Sequence, residues 1–390
     1  MHILKVAQTY YPYVDEGGRP TKVRAITKRL VLRGHSVMVL TANHDRRGGH
    51  SDEDWTPDQD GADVIYLPSH IHFRTVTLNL GMLPFCLKSL RKFDLVHVYG
   101  IYDLLGITIA YFCRQWGIPY VVEPMGMFQP IVRSIGLKKL YHCLWGRKLV
   151  SGASRILATS NQERLELLAG DVPDSKIIVR RNGIEKPEYI PRCGTFRQHW
   201  KIPPAAQMVL FLGRIVAKKS LDLLLRAFAL LRSNNDSAVS LVLVLAGPEE
   251  RDGYRRQLDI LSEQLGVSQR IIYTGPIYGD DKWAAYREAD LFVLPSENEN
   301  FGNTVAESVA CETPVVITDR CGIAPFIGDR VGLVVPHGVE PVYGAIRRLL
   351  TDRVLYRGFV GNCPAVAQEL SWDQPIELLE KIYRQIMVER

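Results

Sequence analysis

Two glutamates, Glu299 and Glu307, are separated by seven residues in SENENFGNTVAESVACETPVV (residues 296–316), directly after the apolar run ADLFVLP (289–295). Carboxylates at the end of a buried strand suit the hydroxyls of a sugar or a ribose. The glycine of Phe301-Gly302-Asn303 marks a turn, and Asn303 or Thr304 is placed to cap a helix that carries Glu307 about one turn in. The N–H groups at such a helix start can bind an anion. One segment thus offers partners for hydroxyls and for phosphate together.

A second set is cationic. In GRIVAKKSLDLLLRAF (213–228), Arg214 closes a strand and Lys219 lies close to a helix start, a pair suited to a diphosphate because Arg can grip two oxygens while Lys acts as a point charge. Taken alone, such cations are as readily ordinary surface residues. Gly17-Gly18 fall in the first strand-to-helix loop, where glycine lets backbone approach a phosphate, but GxGxxG is missing and with it the dinucleotide fingerprint. His97 in FDLVHVYG ends a strand, where an imidazole could bond a sugar hydroxyl or steady a charged transition state, although a lone histidine is more often structural. His70-Ile71-His72 has no third ligand nearby and Asp58-Gln59-Asp60 falls in a polar loop, so neither reads as a metal site and the aspartates read as solvated.

Placing these groups takes a large scaffold, and 390 residues suffice for two domains. With 46% hydrophobic and 23% charged residues the chain reads as soluble and globular. No apolar run approaches the roughly 18 residues of a membrane span, and the start MHILKVAQTYYP lacks the regions of a signal peptide, which points to the cytoplasm. The seven cysteines are scattered and never spaced CxxC, against a disulfide framework or zinc cage. Charge is uneven: residues 1–200 hold 27 Lys/Arg against 18 Asp/Glu, and the remainder 21 against 24.

Short β-branched runs alternate with amphipathic stretches throughout, the pattern of parallel sheets with crossover helices. HILKVAQ, SVMVLTA, DVIYLP, LVHVYG, YVVEP, RILATS and KIIVRRN make one series, and MVLFLGR, LVLVLAGP, RIIYTGP, LFVLPS, PVVITD and GLVVP a second. Residues 185–204 between them carry four prolines and no sustained period. The expected organisation is an α/β chain of two doubly wound Rossmann-like domains facing across a cleft. The boundaries are 1–190, a linker at 191–204, 205–370, and a helix at 371–390 that crosses back to the first domain. The chemistry-bearing residues fall at strand carboxyl ends, where open α/β sheets bind ligands.

The glutamate pair matches the E-x7-E element of the retaining glycosyltransferases of family 4, which have the GT-B fold. LFVLPSENENFGNTVAESVACETPVV resembles that family's donor-site signature throughout, and GRIVAKKSLDLLLRAF, RRNGIE (180–185), the GG loop and FDLVHVYG are similar and occur in the family's order. The resemblance implies that Glu299 binds donor-sugar hydroxyls, Glu307 the ribose, and Arg214 and Lys219, with Gly17 and Gly18, the diphosphate. It places Asn300, Phe301, Gly302, Asn303 and Thr304 against sugar and phosphate, His97 beside the reacting sugar, the base around Ile277 within 274–278, and Glu123 and Met125 on the acceptor side. Catalysis would rest on His97, Glu299, Arg214 and Lys219. The chain departs from the family at Ser220 and Glu312, where glycine is usual, and at Pro325 or Phe326, where a glutamate is common.

The implied activity is metal-independent transfer of a hexosyl group, with retention, from a nucleotide-diphosphate sugar to a glycan or lipid-linked acceptor of surface-polysaccharide assembly. No metal or other cofactor and no nucleic acid is implied. A sugar-nucleotide epimerase of the same fold, or a silent sugar-nucleotide sensor, would share the donor site. Residues 127–150 (MFQPIVRSIGLKKLYHCLWGRKLV) carry five Lys/Arg and no acid among apolar residues at roughly helical spacing, which suits either a core-facing helix or an anionic membrane surface on the cytoplasmic side.

Overall fold

The apolar runs form parallel strands because helices cover both faces of each sheet, so neither face needs polar residues. A computed structural model describes residues 1–13, 18–43, 60–69, 71–73, 76–128, 141, 145–185, 194–233, 240–250 and 253–390. The chain divides into two units: Met1–Asn182 together with Trp372–Arg390, and Gly183–Ser371.

In the first unit the strands are β1 (His2–Ala7), β2 (Ser36–Asn43), β3 (Asp63–Pro68), a short antiparallel hairpin of β4 (Ile71–Phe73) and β5 (Val76–Leu78), then β6 (Leu95–Tyr99), β7 (Tyr120–Glu123), β8 (Arg155–Ala158) and β9 (Ile177–Val179). The hairpin falls where the sequence suggested only loop around His70-Ile71-His72. Seven strands form one parallel sheet ordered β3-β2-β1-β6-β7-β8-β9, so winding reverses between β1 and β6. On one face Leu4, Val6, Val96, Val98 and Val122 meet the helices Met82–Ser89, Leu104–Trp116 and Arg147–Ser151. On the other, Ile3, Leu95, Tyr99 and Val121 meet the helix Gly18–Leu32 and the last helix, Asp373–Val388. Ile376, Leu379, Ile382, Tyr383 and Ile386 of the last helix are buried at helical spacing, and its Glu380 accepts from Arg33 and His35 at 2.8 Å each.

The second unit repeats the plan with β10 (Gln207–Leu212), β11 (Leu241–Ala246), β12 (Ile271–Gly275), β13 (Leu291–Leu294), β14 (Val315–Thr318) and β15 (Gly332–Val335) in the order β12-β11-β10-β13-β14-β15, reversing between β10 and β13. Residues 194–204 do not behave as a connector. The helix Thr195–His199 buries Phe196 in this unit's core, and Glu288 accepts from the N–H groups of Phe196 and Arg197 at 3.1 and 2.8 Å, supplying the carboxylate that the helix start lacks.

Asp60 is likewise not solvated; it is buried and paired with Arg24 Nε at 2.7 Å. Gly17, residues 44–59, and residues 129–140 and 142–144 of the basic stretch 127–150 lie outside the described residues. Among the described residues no helix is long and apolar enough to cross a membrane.

Candidate active site

The reversal point of the second unit gathers the acidic and cationic motifs. Arg214 follows β10 and the glutamate segment follows β13, two strands that are hydrogen-bonded neighbours. Glu297 N–H donates to Lys218 C=O at 3.1 Å, which ties the two loops directly. Glu299 is fixed from its other side, donating its N–H to Arg320 C=O at 2.9 Å and accepting from Gly322 N–H at 2.9 Å. Its carboxylate forms an ion pair with Lys219. Burial by itself would raise the Glu299 pKa, but the fields of Lys219, Lys218 and Arg214 outweigh it and hold the carboxyl below its ordinary value.

Arg214 is exposed and its Nη1 donates to Glu250 at 2.9 Å. Close approach of the neighbouring loops requires glycine at 247, where φ is 142° and a Cβ would stand 1.9 Å from Gly213 C=O. Lys219 ends a single 3-10 turn, Ala217–Lys219, and Ser220 after it takes left-handed backbone with φ 51°. Glu312 is also left-handed, φ 62°, and pairs with Arg287 at 3.0 Å. These two departures therefore mark positions where glycine is the unstrained choice. The Arg287 cation offsets the unfavourable placement of a carboxylate after a helix C-terminus.

The helix carrying Glu307 runs Asn303–Ala310, and neither Asn303 nor Thr304 is its cap. Gly302 holds that position with φ 102° and, lacking a side chain, makes no cap bond of its own. Glu307 lies in the second turn, accepting from Tyr286 OH at 2.9 Å and Lys282 Nζ at 3.0 Å, both from the helix Gly279–Glu288. Phe301 is buried, while Asn300, Asn303 and Thr304 are half-buried. Ile277 follows β12 at the edge of the sheet, half-buried against the core.

Sequence reasoning missed Glu250, Lys282 and Tyr286. The i, i+4 spacing of Lys282 and Tyr286 was a usable signal, since it puts both on one helix face. Glu250 had none.

The first unit's reversal point is built from Lys5 of β1, His97 of β6 and Glu123 of β7. Lys5 and His97 are register partners, as are Tyr99 and Glu123, so all four side chains share one sheet face. That face is roofed by the first and last helices, and all four residues are buried. Arg180 Nη2 donates to both Glu123 oxygens at 2.8 Å, Lys22 completes an ion pair with the same carboxylate, and His97 Nε2 stands 3.5 Å from it. His97 Nδ1 lies 2.6 Å from Tyr383 OH. With a carboxylate facing Nε2, the neutral ring keeps its proton there and accepts from the tyrosine.

Burial pushes the His97 pKa down to about 4 despite Glu123. Burial would raise Glu123, yet Arg180 and Lys22 hold it well below the usual carboxylate range. His97 is thus the middle residue of its strand, not the last. Neither it nor Glu123 reaches solvent, so the contacts expected of them with a reacting sugar and an acceptor are not available in this arrangement. Tyr99 ends the strand instead.

Met125 and Gly126 are consecutive left-handed residues, φ 60° and 71°. The buried Glu163 fixes that turn, accepting from Gly126 N–H at 2.5 Å and Thr159 N–H at 2.7 Å. The Ser-x-x-Glu pattern at 160–163 was the legible sign of Glu163. Gly18 begins the helix Gly18–Leu32. Among the described residues no group of His, Cys, Asp and Glu could hold a metal ion.

Residues 17–183 match the glycosyl transferase 4-like domain and residues 194–362 the glycosyl transferases group 1. The chain belongs to the family 4 glycosyltransferases of GT-B fold, and it is an enzyme of that class. It is 28% identical over 328 residues to the D-inositol 3-phosphate glycosyltransferase of Salinispora tropica, covering 77% of this chain and 66% of that one, about two thirds of the relative's length. An uncharacterised glycosyltransferase of Methanocaldococcus jannaschii is 25% identical over 98% of both chains. Among solved structures, Anabaena HepE in complex with UDP and glucose superposes with a TM-score of 0.76 at 17% identity, over 99% of this chain and 100% of that one.

Proposed function

We propose that the protein transfers a hexosyl group, with retention and without a metal, from a nucleotide-diphosphate sugar to a hydroxyl of a glycan or lipid-linked acceptor in surface-polysaccharide assembly. The observation that carries this reading is the joining of Arg214, Lys219 and Glu299 at the reversal point of the second sheet. Two fixed cations can neutralise the charge that develops on a departing diphosphate, which is the help such a leaving group needs. The same-face displacement favoured in the family, in which a donor phosphate oxygen takes the acceptor proton, demands no protein nucleophile. In the ligand-bound enzyme Glu299 turns from Lys219 to sugar hydroxyls and Glu307 holds the ribose, with the base near Ile277. The complexes of HepE with UDP and UDP-glucose support a donor of the nucleotide-sugar class.

Thermal-shift measurements with UDP-, GDP- and ADP-sugars test the donor, since a ligand at a hundred times its Kd adds about 2.7 kcal/mol of stability. Turnover with and without glycan acceptors then separates transfer from epimerisation or sensing. Glu299→Gln should depress turnover more than nucleotide affinity and Glu307→Gln the reverse. Equal losses of nucleoside-diphosphate affinity by calorimetry would reject that division, and activity lost to EDTA and restored by Mg²⁺ would reject metal independence.

A further inference from the structure

Ser220 follows Lys219 directly and has left-handed backbone, φ 51° and ψ 46°, where glycine would be unstrained. The residue is buried, and its hydroxyl oxygen lies 2.9 Å from His337 Nε2. A hydroxyl can donate or accept, so this bond forms with either tautomer of the imidazole. The strain of a left-handed serine is of the same order as the net gain of one hydrogen bond. The pair therefore adds little to stability on balance, and its effect lies in where it holds the chain.

His337 comes from a distant strand of the same sheet. β15 ends at Val335, and the helix Val339–Thr351 begins after Gly338, so His337 lies in the loop between them. Ser220 stands in the same way after β10 and before the helix Leu221–Ser233. β13 and β14 separate β10 from β15 in the sheet, but the two helices pack against each other and bring their starts together. The Ser220–His337 bond thus ties the β10 loop to the β15 loop across two strands.

The turn that carries Lys219 is closed internally, Lys219 N–H donating to Val216 C=O at 2.9 Å and Ser220 N–H to Ala217 C=O at 2.8 Å. From outside it is held on both sides of the lysine. Glu297 N–H, beyond β13, donates to Lys218 C=O, and His337, beyond β15, bonds Ser220.

We infer that His337 is a positioning residue for the donor diphosphate: through Ser220 it fixes the backbone of Lys219, so that the ammonium meets the phosphates when it leaves Glu299. Lysine is a point charge on a flexible stem, and its reach is defined only as well as its backbone is. Holding that backbone in advance removes ordering that binding would otherwise have to supply. Glycine at 220 would relieve the strain and release the tie. The inference rests on the diphosphate role proposed for Lys219.

The test is calorimetric titration of the full chain with UDP, GDP and ADP. His337→Ala and Ser220→Ala should each weaken the diphosphate that the parent binds by about three- to tenfold. The double variant should lose no more than either single one, because the same bond is broken in all three. Ser220→Gly should melt no lower than the parent and still bind more weakly, which a damaged fold would not do. His337→Gln, which offers an amide N–H and a carbonyl oxygen to the serine hydroxyl, should keep the parent affinity. In a Lys219→Ala background His337→Ala should change affinity less than about twofold, since the tie acts through that lysine. Unchanged affinity in His337→Ala, additive losses in the double variant, or an equal loss with and without Lys219 would overturn the inference and leave the transfer reading standing. A parent protein that binds none of the three diphosphates would overturn both.

Discussion

The two sheets reverse their winding at equivalent places, between β1 and β6 in one unit and between β10 and β13 in the other, and each reversal is lined with charge. They use it differently. In the first unit Glu123 and His97 lie within strands, Lys22 comes from a roofing helix and Arg180 follows β9, so the opposite charges pair with one another in the interior. In the second they sit in the loops beyond the strands, so Arg214, Lys219 and Glu299 keep access to solvent while paired. An ionic group within a sheet joins elements together. The same group a few residues later is free to exchange its partner for a ligand.

The sharpest way to break this comparison is to neutralise one carboxylate on each side. Glu123→Gln leaves Arg180 and Lys22 buried without their counter-charge and should cost about 3–5 kcal/mol in urea unfolding. Glu299→Gln loosens a pair that water can reach and should cost no more than about 1 kcal/mol. Similar losses would erase the distinction between clamp and site.

Acid should reveal the buried side next. The folded pKa of His97 lies near 4, below the ordinary 6.5, so the stability contributed by keeping the ring neutral is complete above pH 6.5 and drains away as pH falls from there through 4. The expected decline is on the order of 3 kcal/mol, and His97→Asn should flatten it in urea midpoints measured at pH 7, 5.5 and 4.5. Because Glu123 is held below its ordinary value, its own contribution is lost only at lower pH. An unchanged slope in the variant would place the acid sensitivity elsewhere.

On the ligand side, Arg214→Ala and Lys219→Ala should each lower donor turnover by about tenfold or more, since a charge-assisted contact contributes on the order of 1.5–3 kcal/mol. Their melting temperatures should stay near the parent's. A large loss of stability without loss of turnover would make these cations structural, like Arg180.

The smallest effect belongs to Glu312. Replacing it with glycine removes left-handed strain and a half-exposed ion pair to Arg287. A gain of about 0.5–1 kcal/mol is expected if relief of strain outweighs the exposed pair and the added freedom of glycine. A loss would show that the Arg287 pair dominates.

Much of this was legible in the residues. Strands such as LVLVLA and LFVL could be read because burial on both faces leaves an uninterrupted apolar run, and Glu299 and Glu307 stood out because such a run ends on carboxylates. The helix over Asp373–Val388 was readable from its period, with apolar residues at 376, 379, 382, 383 and 386. The fate of His97 was not readable. Its neighbours in FDLVHVYG say nothing of Tyr383, 286 residues away, whose helix covers the ring. Glu250 is a loop glutamate like others until the ends of β10 and β11 set it beside Arg214.

The sequence by itself determined most of the sheet strands and the long helices, and the carboxylates and cations that follow β10 and β13, because period and turn chemistry act over a few residues. Only the tertiary structure decided which charges are enclosed and which stay accessible. That depends on which helices roof a sheet face, and the roof over His97 and Glu123 is assembled from the two ends of the chain.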